Sequence, residues 1–134
     1  MKFLFAALAA IIAACAATPS AALEGAWRLE SMNGAAPIGP APSMAFTEGR
    51  VSGNAGCNRY SGAYRQSGDR LVLGPLAATE MACIGDEGSP QALMMQETAF
   101  LSALAGELTV ELQGEALELR GADGRVLRFR RTIP

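Results

Sequence analysis

Three kinds of side chain in this chain of 134 residues could take part in chemistry: the thiols of Cys15, Cys57 and Cys83, a carboxylate at Glu97 set among apolar residues, and a scatter of arginines. Histidine is absent and the one lysine is Lys2. The usual neutral-pH base, the usual zinc ligand, the middle member of a hydrolytic triad and a Schiff-base amine are therefore all missing from the body of the chain. No catalytic residue, metal or cofactor is expected. A carboxylate-dependent hydrolase using Glu97 or Glu80 would need two acids converging in one cleft, and is the least favoured reading.

Cys15 stands apart from the other two thiols. Lys2 is followed by an unbroken small and apolar run from Phe3 to Ala14, which has the make-up of a signal-peptide core. The run is too short to cross a bilayer as a helix, which needs roughly 20 residues. Ile12-Ala13-Ala14-Cys15 resembles a bacterial lipobox, so residues 1–14 are expected to be a lipoprotein leader and Cys15 the lipidated first residue of the mature protein. Ser20-Ala21-Ala22 is a rival cleavage site that would release a soluble periplasmic protein starting at Leu23. With Ala16 after the cysteine, sorting to the outer membrane follows, facing the periplasm. Residues 15–22 then form a short linker reaching roughly 25 Å when extended, and the membrane is a partner through the anchor.

An exported chain meets an oxidising compartment. Cys57 and Cys83 remain as an even pair, which reads as a disulfide; two separate buried thiols are the alternative, since cysteine also packs as a small hydrophobe. Without Lys2, ten arginines oppose 13 acidic residues. A net acidic domain lacks the basic, aromatic-laced surface that nucleic acid requires, so no nucleic acid is expected as partner.

Residues 23–134 are the right length for one domain with its own core. From Gly25 onward the apolar residues alternate, with turn residues at short intervals, as in an antiparallel sheet. Strands are expected at Gly25 to Met32, Met44 to Thr47, Arg50 to Gly53, Arg59 to Gln66 and Arg70 to Leu73, with a loop from Asn33 to Pro42. A three-strand meander follows at Leu108 to Leu112, Ala116 to Arg120 and Arg125 to Arg131. The arginines of that last strand read as protection of an exposed sheet edge.

One segment changes period. Ser89 is placed as an N-cap, Pro90 as the first helical residue and Gly106 as the C′ glycine of a helix running through Ala105. Its stripe is Leu93, Phe100, Leu101 and Leu104, with Met94 and Met95 as core and boundary filler. Glu97 points near the middle of that stripe, and a buried carboxylate must be protonated or partnered. It is expected to be an anchor bonded to the Cys57-Asn58 turn or to Arg59; a catalytic acid is the sharper alternative. Gly53, Gly56 and Gly62 suit turns or bulges. Tyr60 and Tyr64 share a face, and the gap over Gly62 between them either cradles a ligand or is filled by a cross-strand neighbour.

The segments Gly56-Cys57-Asn58-Arg59-Tyr60-Ser61-Gly62 and Thr79-Glu80-Met81-Ala82-Cys83, with Trp27 ahead and Gln96-Glu97-x-x-Phe100-Leu101 behind, resemble the META/HslJ-like family of bacterial envelope proteins. Glu80 departs from the family pattern, which has a basic residue there. The resemblance implies an α+β fold, a mixed and mainly antiparallel barrel-like β-sheet with one packed α-helix over residues 23–134. Gly56, Asn58, Arg59, Tyr60, Gly62, Thr79, Met81 and Glu97 would be its structural signature. It also implies a non-enzymatic lipoprotein serving envelope stress response, assembly or binding, with an envelope protein as partner. The alternative is a carrier holding an apolar, lipid-like molecule in an incomplete barrel.

Overall fold

Strict alternation of buried and exposed side chains runs through nearly every strand, which means one face of each is covered and the other meets water. The structure, a computed structural model, describes residues 22–84 and 89–133. The leader at 1–14, Cys15 and the linker as far as residue 21 lie outside the described residues. The strands are β1 (Gly25–Met32), β2 (Ser43–Thr47), β3 (Arg50–Asn54), β4 (Arg59–Ser67), β5 (Arg70–Leu73), β6 (Ala77–Ala78), β7 (Glu107–Gln113), β8 (Ala116–Gly121) and β9 (Val126–Arg131); α1 (Pro90–Ala103) lies between β6 and β7.

The strand order β3-β2-β1-β9-β8-β7-β5-β4 returns on itself because β3 also pairs with β4. Eight strands thus make a closed barrel, and every described pairing is antiparallel. Closure removes the sheet edge assigned to the last strand: β9 has β1 on one side and β8 on the other. Its outward arginines are instead ion-paired, Arg130 with Glu30 at 2.6 Å and Arg128 with Glu118 at 3.4 Å.

Tight corners follow local chemistry. Glu48 and Gly49 both have positive φ, 47° and 79°, the geometry of a type I′ hairpin turn. Asn33 and Gly34 do the same, at 51° and 84°, and Met32 and Ala35 exchange backbone hydrogen bonds across them. The expected 33–42 loop therefore begins as a two-residue hairpin.

Trp27, Phe46, Phe100 and Phe129 are fully buried with a girdle of leucines, so side chains fill the barrel. Trp27 donates its indole N–H to the carbonyl of Leu23 at 3.0 Å. The Arg131 guanidinium lies 4.2 Å over the same ring and donates to the carbonyls of Glu24 and Ala22, fastening the start of the domain to its end.

The Ser89 hydroxyl caps α1 by accepting from the Ala92 amide at 3.0 Å, with Pro90 at the first turn. The helix stops at Ala103 with Leu104 as C-cap, two residues before its expected end, and Gly106 (φ 80°) turns the chain one place later than a C′ glycine would. Arg125 decides this: its guanidinium takes the carbonyls of Ala103 and Ala105, so the last turn is closed from outside the helix. Leu93, Glu97, Phe100 and Ala103 form the buried stripe, whereas Met94 and Met95 face solvent, contrary to expectation. Phe100 meets Tyr60 of β4 and Phe129 of β9 edge-on. These strands lie opposite each other in the ring of eight, so one aromatic ring ties both walls to the helix. Among the described residues no helix is long and apolar enough to cross a membrane.

Candidate functional site

Ala55 to Asn58 turns sharply before β4 begins. Gly56 sits at φ 128°, a backbone conformation that a Cβ disfavours, and its amide donates to Asn54 Oδ1 at 2.8 Å. The Ala55 amide closes the turn onto the Asn58 carbonyl at 2.7 Å.

The turn delivers Asn58 to the interior, where only 5% of it is exposed. Its backbone amide donates to Glu97 Oε1 at 2.6 Å and its Nδ2 to Glu97 Oε2 at 2.7 Å. On its far side, Nδ2 also donates to the Met81 carbonyl at 3.0 Å, while Oδ1 accepts from the Met81 amide at 2.6 Å and from the Thr79 hydroxyl at 2.9 Å. Thr79 Oγ1 in turn accepts from the Arg59 amide at 3.1 Å. A single amide side chain therefore joins the turn, the helix and the strap of chain at 77–83, with every polar atom used.

The same strap is held at both ends. Ala77 and Ala78 form β6 against Ser61 and Tyr60. At the other end Cys83 is disulfide-bonded to Cys57, with Cα atoms 5.2 Å apart. Between β5 and β6 the chain crosses directly over Gly62, where a Cβ would stand 2.9 Å from Leu76 Cδ2 and 3.0 Å from the Pro75 carbonyl. Leu76 thus fills the gap between Tyr60 and Tyr64. Tyr60 donates its hydroxyl to the Ser43 carbonyl at 2.7 Å, and burial pushes its acidity well away from the ordinary tyrosine value.

The signature residues Gly56, Asn58, Arg59, Tyr60, Gly62, Thr79, Met81 and Glu97 gather here with Cys57 and Cys83, whereas Met94 and Met95 do not. One contributor was not singled out, Ser43, which receives Tyr60; Gln96 was named only within the helix segment of the resemblance, and its amide bonds both the N–H and the carbonyl of Ile38. The Gln96 bonds join helix to loop across a separation of 58 residues, and no local pattern signals them.

Chemically the cluster is a clamp. Both Glu97 oxygens are engaged as acceptors by Asn58, and Glu80 stands on the exposed side of the strap. The Cys57 and Cys83 sulfurs and a Glu97 oxygen lie within 4.8 Å of one another, yet metal binding calls for thiolates and both sulfurs are joined to each other.

Outside the clamp the chain forms a concavity of about 1010 Å³ on the outer face of β2, β3, β4 and β6. Ala45, Ser52, Ser61 and Ala77 are consecutive cross-strand partners, so the floor is low. Arg59, Asn54, Thr79 and Met81 form its rim.

The META domain family matches residues 20–133. The chain belongs to the META domain family. Among solved structures, an NMR structure of a protein from Burkholderia xenovorans is similar at TM-score 0.68 and 24% identity, covering 98% of this chain and 100% of that one. A second NMR structure is similar at TM-score 0.65 and 28% identity, covering 85% and 94%. No curated protein matches the chain. For this META domain the two signature segments are thus the two sides of one clamp, with the concavity on their outer surface.

Proposed function

We propose that this META domain is a non-enzymatic accessory of the bacterial cell envelope, anchored in the outer membrane through a lipid on Cys15, facing the periplasm and engaging a partner at the groove beside Asn58. The observation that carries the reading is the full commitment of Glu97 to Asn58. The acid best placed for catalysis is spent on positioning the strap that borders the groove, which supports a binding or assembly role over a hydrolytic one. The leader and lipobox sequence support the anchor and the compartment. A role in envelope stress tolerance fits a disulfide-clasped domain of this family.

The carrier alternative meets a physical obstacle. An acyl chain needs an open chamber, and in the described residues Trp27, Phe46, Phe100 and Phe129 occupy the barrel interior.

Palmitate labelling and membrane fractionation of the native host test the anchor, and a soluble unacylated protein beginning at Leu23 would sink it. Pull-down from envelope extract tests the groove: a partner captured by the wild type is expected to be lost on Arg59→Glu. Unchanged capture would remove the groove from the proposal.

A further inference from the structure

Arginines are not spread evenly over this acidic protein. The outward residues of β2, β3 and β4 include Arg50, Arg59 and Arg65, all exposed, and no Asp or Glu lies within these three strands. The nearest acids in sequence stand beyond the strand ends, Glu48 and Asp69 at hairpin tips and Glu80 on the strap; Glu107 of β7 lines one concavity with Arg65 and is ion-paired to Arg70. No carboxylate among the described residues pairs with any of the three guanidinium groups, whereas Arg70, Arg120, Arg125, Arg128 and Arg130 all have acid partners. Arg50 stands opposite Ala63, which makes it a diagonal neighbour of Arg65, about 7–8 Å away; these two cations repel each other, and a bound anion relieves that repulsion.

The face is also the one that carries the concavity of about 1010 Å³, with Arg59 at its rim and Ser52 and Ser61 on its floor. Six residues of extended chain place Arg59 and Arg65 about 20 Å apart along β4. Such spacing suits repeated negative charges on one flexible chain better than a single small ion. β2, β3 and β4 are each paired on both sides, and the one open edge at the groove, that of β6, is two residues long, too short to hold a peptide by strand addition. Tyr60, the aromatic beneath the floor, is buried, so the large apolar side chain that the described groove exposes is Met81 at its rim, a single anchor where peptide interfaces use a cluster. Hydroxyls and guanidinium forks match a polyhydroxylated chain bearing carboxylates or phosphates.

We propose that the outer face of β2, β3 and β4 binds an anionic glycan, its charged groups received by Arg50, Arg59 and Arg65 and its hydroxyls by the serine-lined floor. The inference rests on the groove being the working surface of an envelope binding module, and it names the ligand class for that surface.

The test is calorimetric titration of the mature protein with oligogalacturonate, with dextran of equal length and oligoglutamate as comparison probes. Oligogalacturonate is expected to bind, and the triple variant Arg50→Gln/Arg59→Gln/Arg65→Gln to bind at least tenfold more weakly at an unchanged melting temperature. Arg28→Gln/Arg130→Gln, on the face formed by β1 and β9, is expected to stay within twofold of wild type. Equal affinity for dextran, affinity for oligoglutamate matching that for oligogalacturonate, an unaffected triple variant, or no binding of oligogalacturonate would each overturn the proposal. Absent glycan binding together with envelope capture that still depends on Arg59 overturns the ligand class alone. Capture and glycan binding that are both indifferent to Arg59 overturn the groove reading as well.

Discussion

Glu97 holds Asn58 by two hydrogen bonds at once, one to the backbone amide at 2.6 Å and one to the side-chain amide at 2.7 Å, across 39 residues of sequence. The pairing couples α1 to the turn that starts β4, and through Asn58 to the strap. A carboxylate with only 7% of its residue surface exposed is tolerated because the donors facing it replace the water it has lost.

Glu97→Gln turns an N–H pair toward a donor and should destabilise the fold by about 2 kcal/mol in urea titrations. Asn58→Asp places two carboxylates face to face. Its loss should be greater at neutral pH and should shrink as the pH falls toward 4, where one of the pair takes up a proton. A variant whose stability does not respond to acid would contradict the direct contact.

The Cys57–Cys83 bridge spans a sequence separation of 26, and closing such a loop stabilises by about 3.5 kcal/mol in the chain-entropy picture. Cys57→Ser/Cys83→Ser, or the reduced wild type, should melt well below the oxidised protein. Because Asn58 holds the strap independently of the sulfurs, the reduced domain should remain folded at room temperature, with faster amide exchange at 79–84. Core amides should exchange faster only by the factor set by the lost global stability, so exchange at 79–84 that accelerates no more than the core's would argue against a local staple.

Gly62→Ala should cost about 2 kcal/mol or more, since its methyl would meet Leu76 and the Pro75 carbonyl. Adding Leu76→Ala to that variant should recover only part of the loss, because the carbonyl remains. Full recovery would mean that the side chain alone enforces the glycine.

The strand pattern was readable because alternation over a half-covered sheet is a local property: the bounds expected for β1 and β5 coincide with those observed. The Asn33-Gly34 turn was also readable in principle, since Asn-Gly is the preferred type I′ pair, but the Gly/Pro/Ala run beyond it read as one loop. β6 was not readable. Ala77-Ala78 carries no pattern and becomes a strand only because Tyr60 and Ser61 are already in place. Met94 and Met95 were misplaced because apolar character alone does not say which side of a helix meets the barrel. The four-strand floor of the groove depends on register between distant segments, which no single window of sequence contains.

Alkaline pH gives a signed test. Burial raises the Tyr60 pKa, and burial with the nearby charge of Glu24 raises that of Tyr64. Raised acids favour the neutral, folded protein, so their contribution is intact below the ordinary tyrosine value of 10.0 and is lost as the pH climbs above it. Stability should therefore fall above that value. Tyr60→Phe should cost about 1 kcal/mol at neutral pH through its lost bond to Ser43, and should flatten the alkaline decline. An identical decline in wild type and variant would assign the effect elsewhere.

The first and last strands of the ring are neighbours, β1 lying against β9. The stave that seals this cask is thus the final one to emerge from a ribosome or a translocation channel, and the cask stays open until its last few residues are free. A nascent chain stalled short of Val126 would leave β1 and β8 with bare flanks, so closure of this domain waits on the arrival of β9.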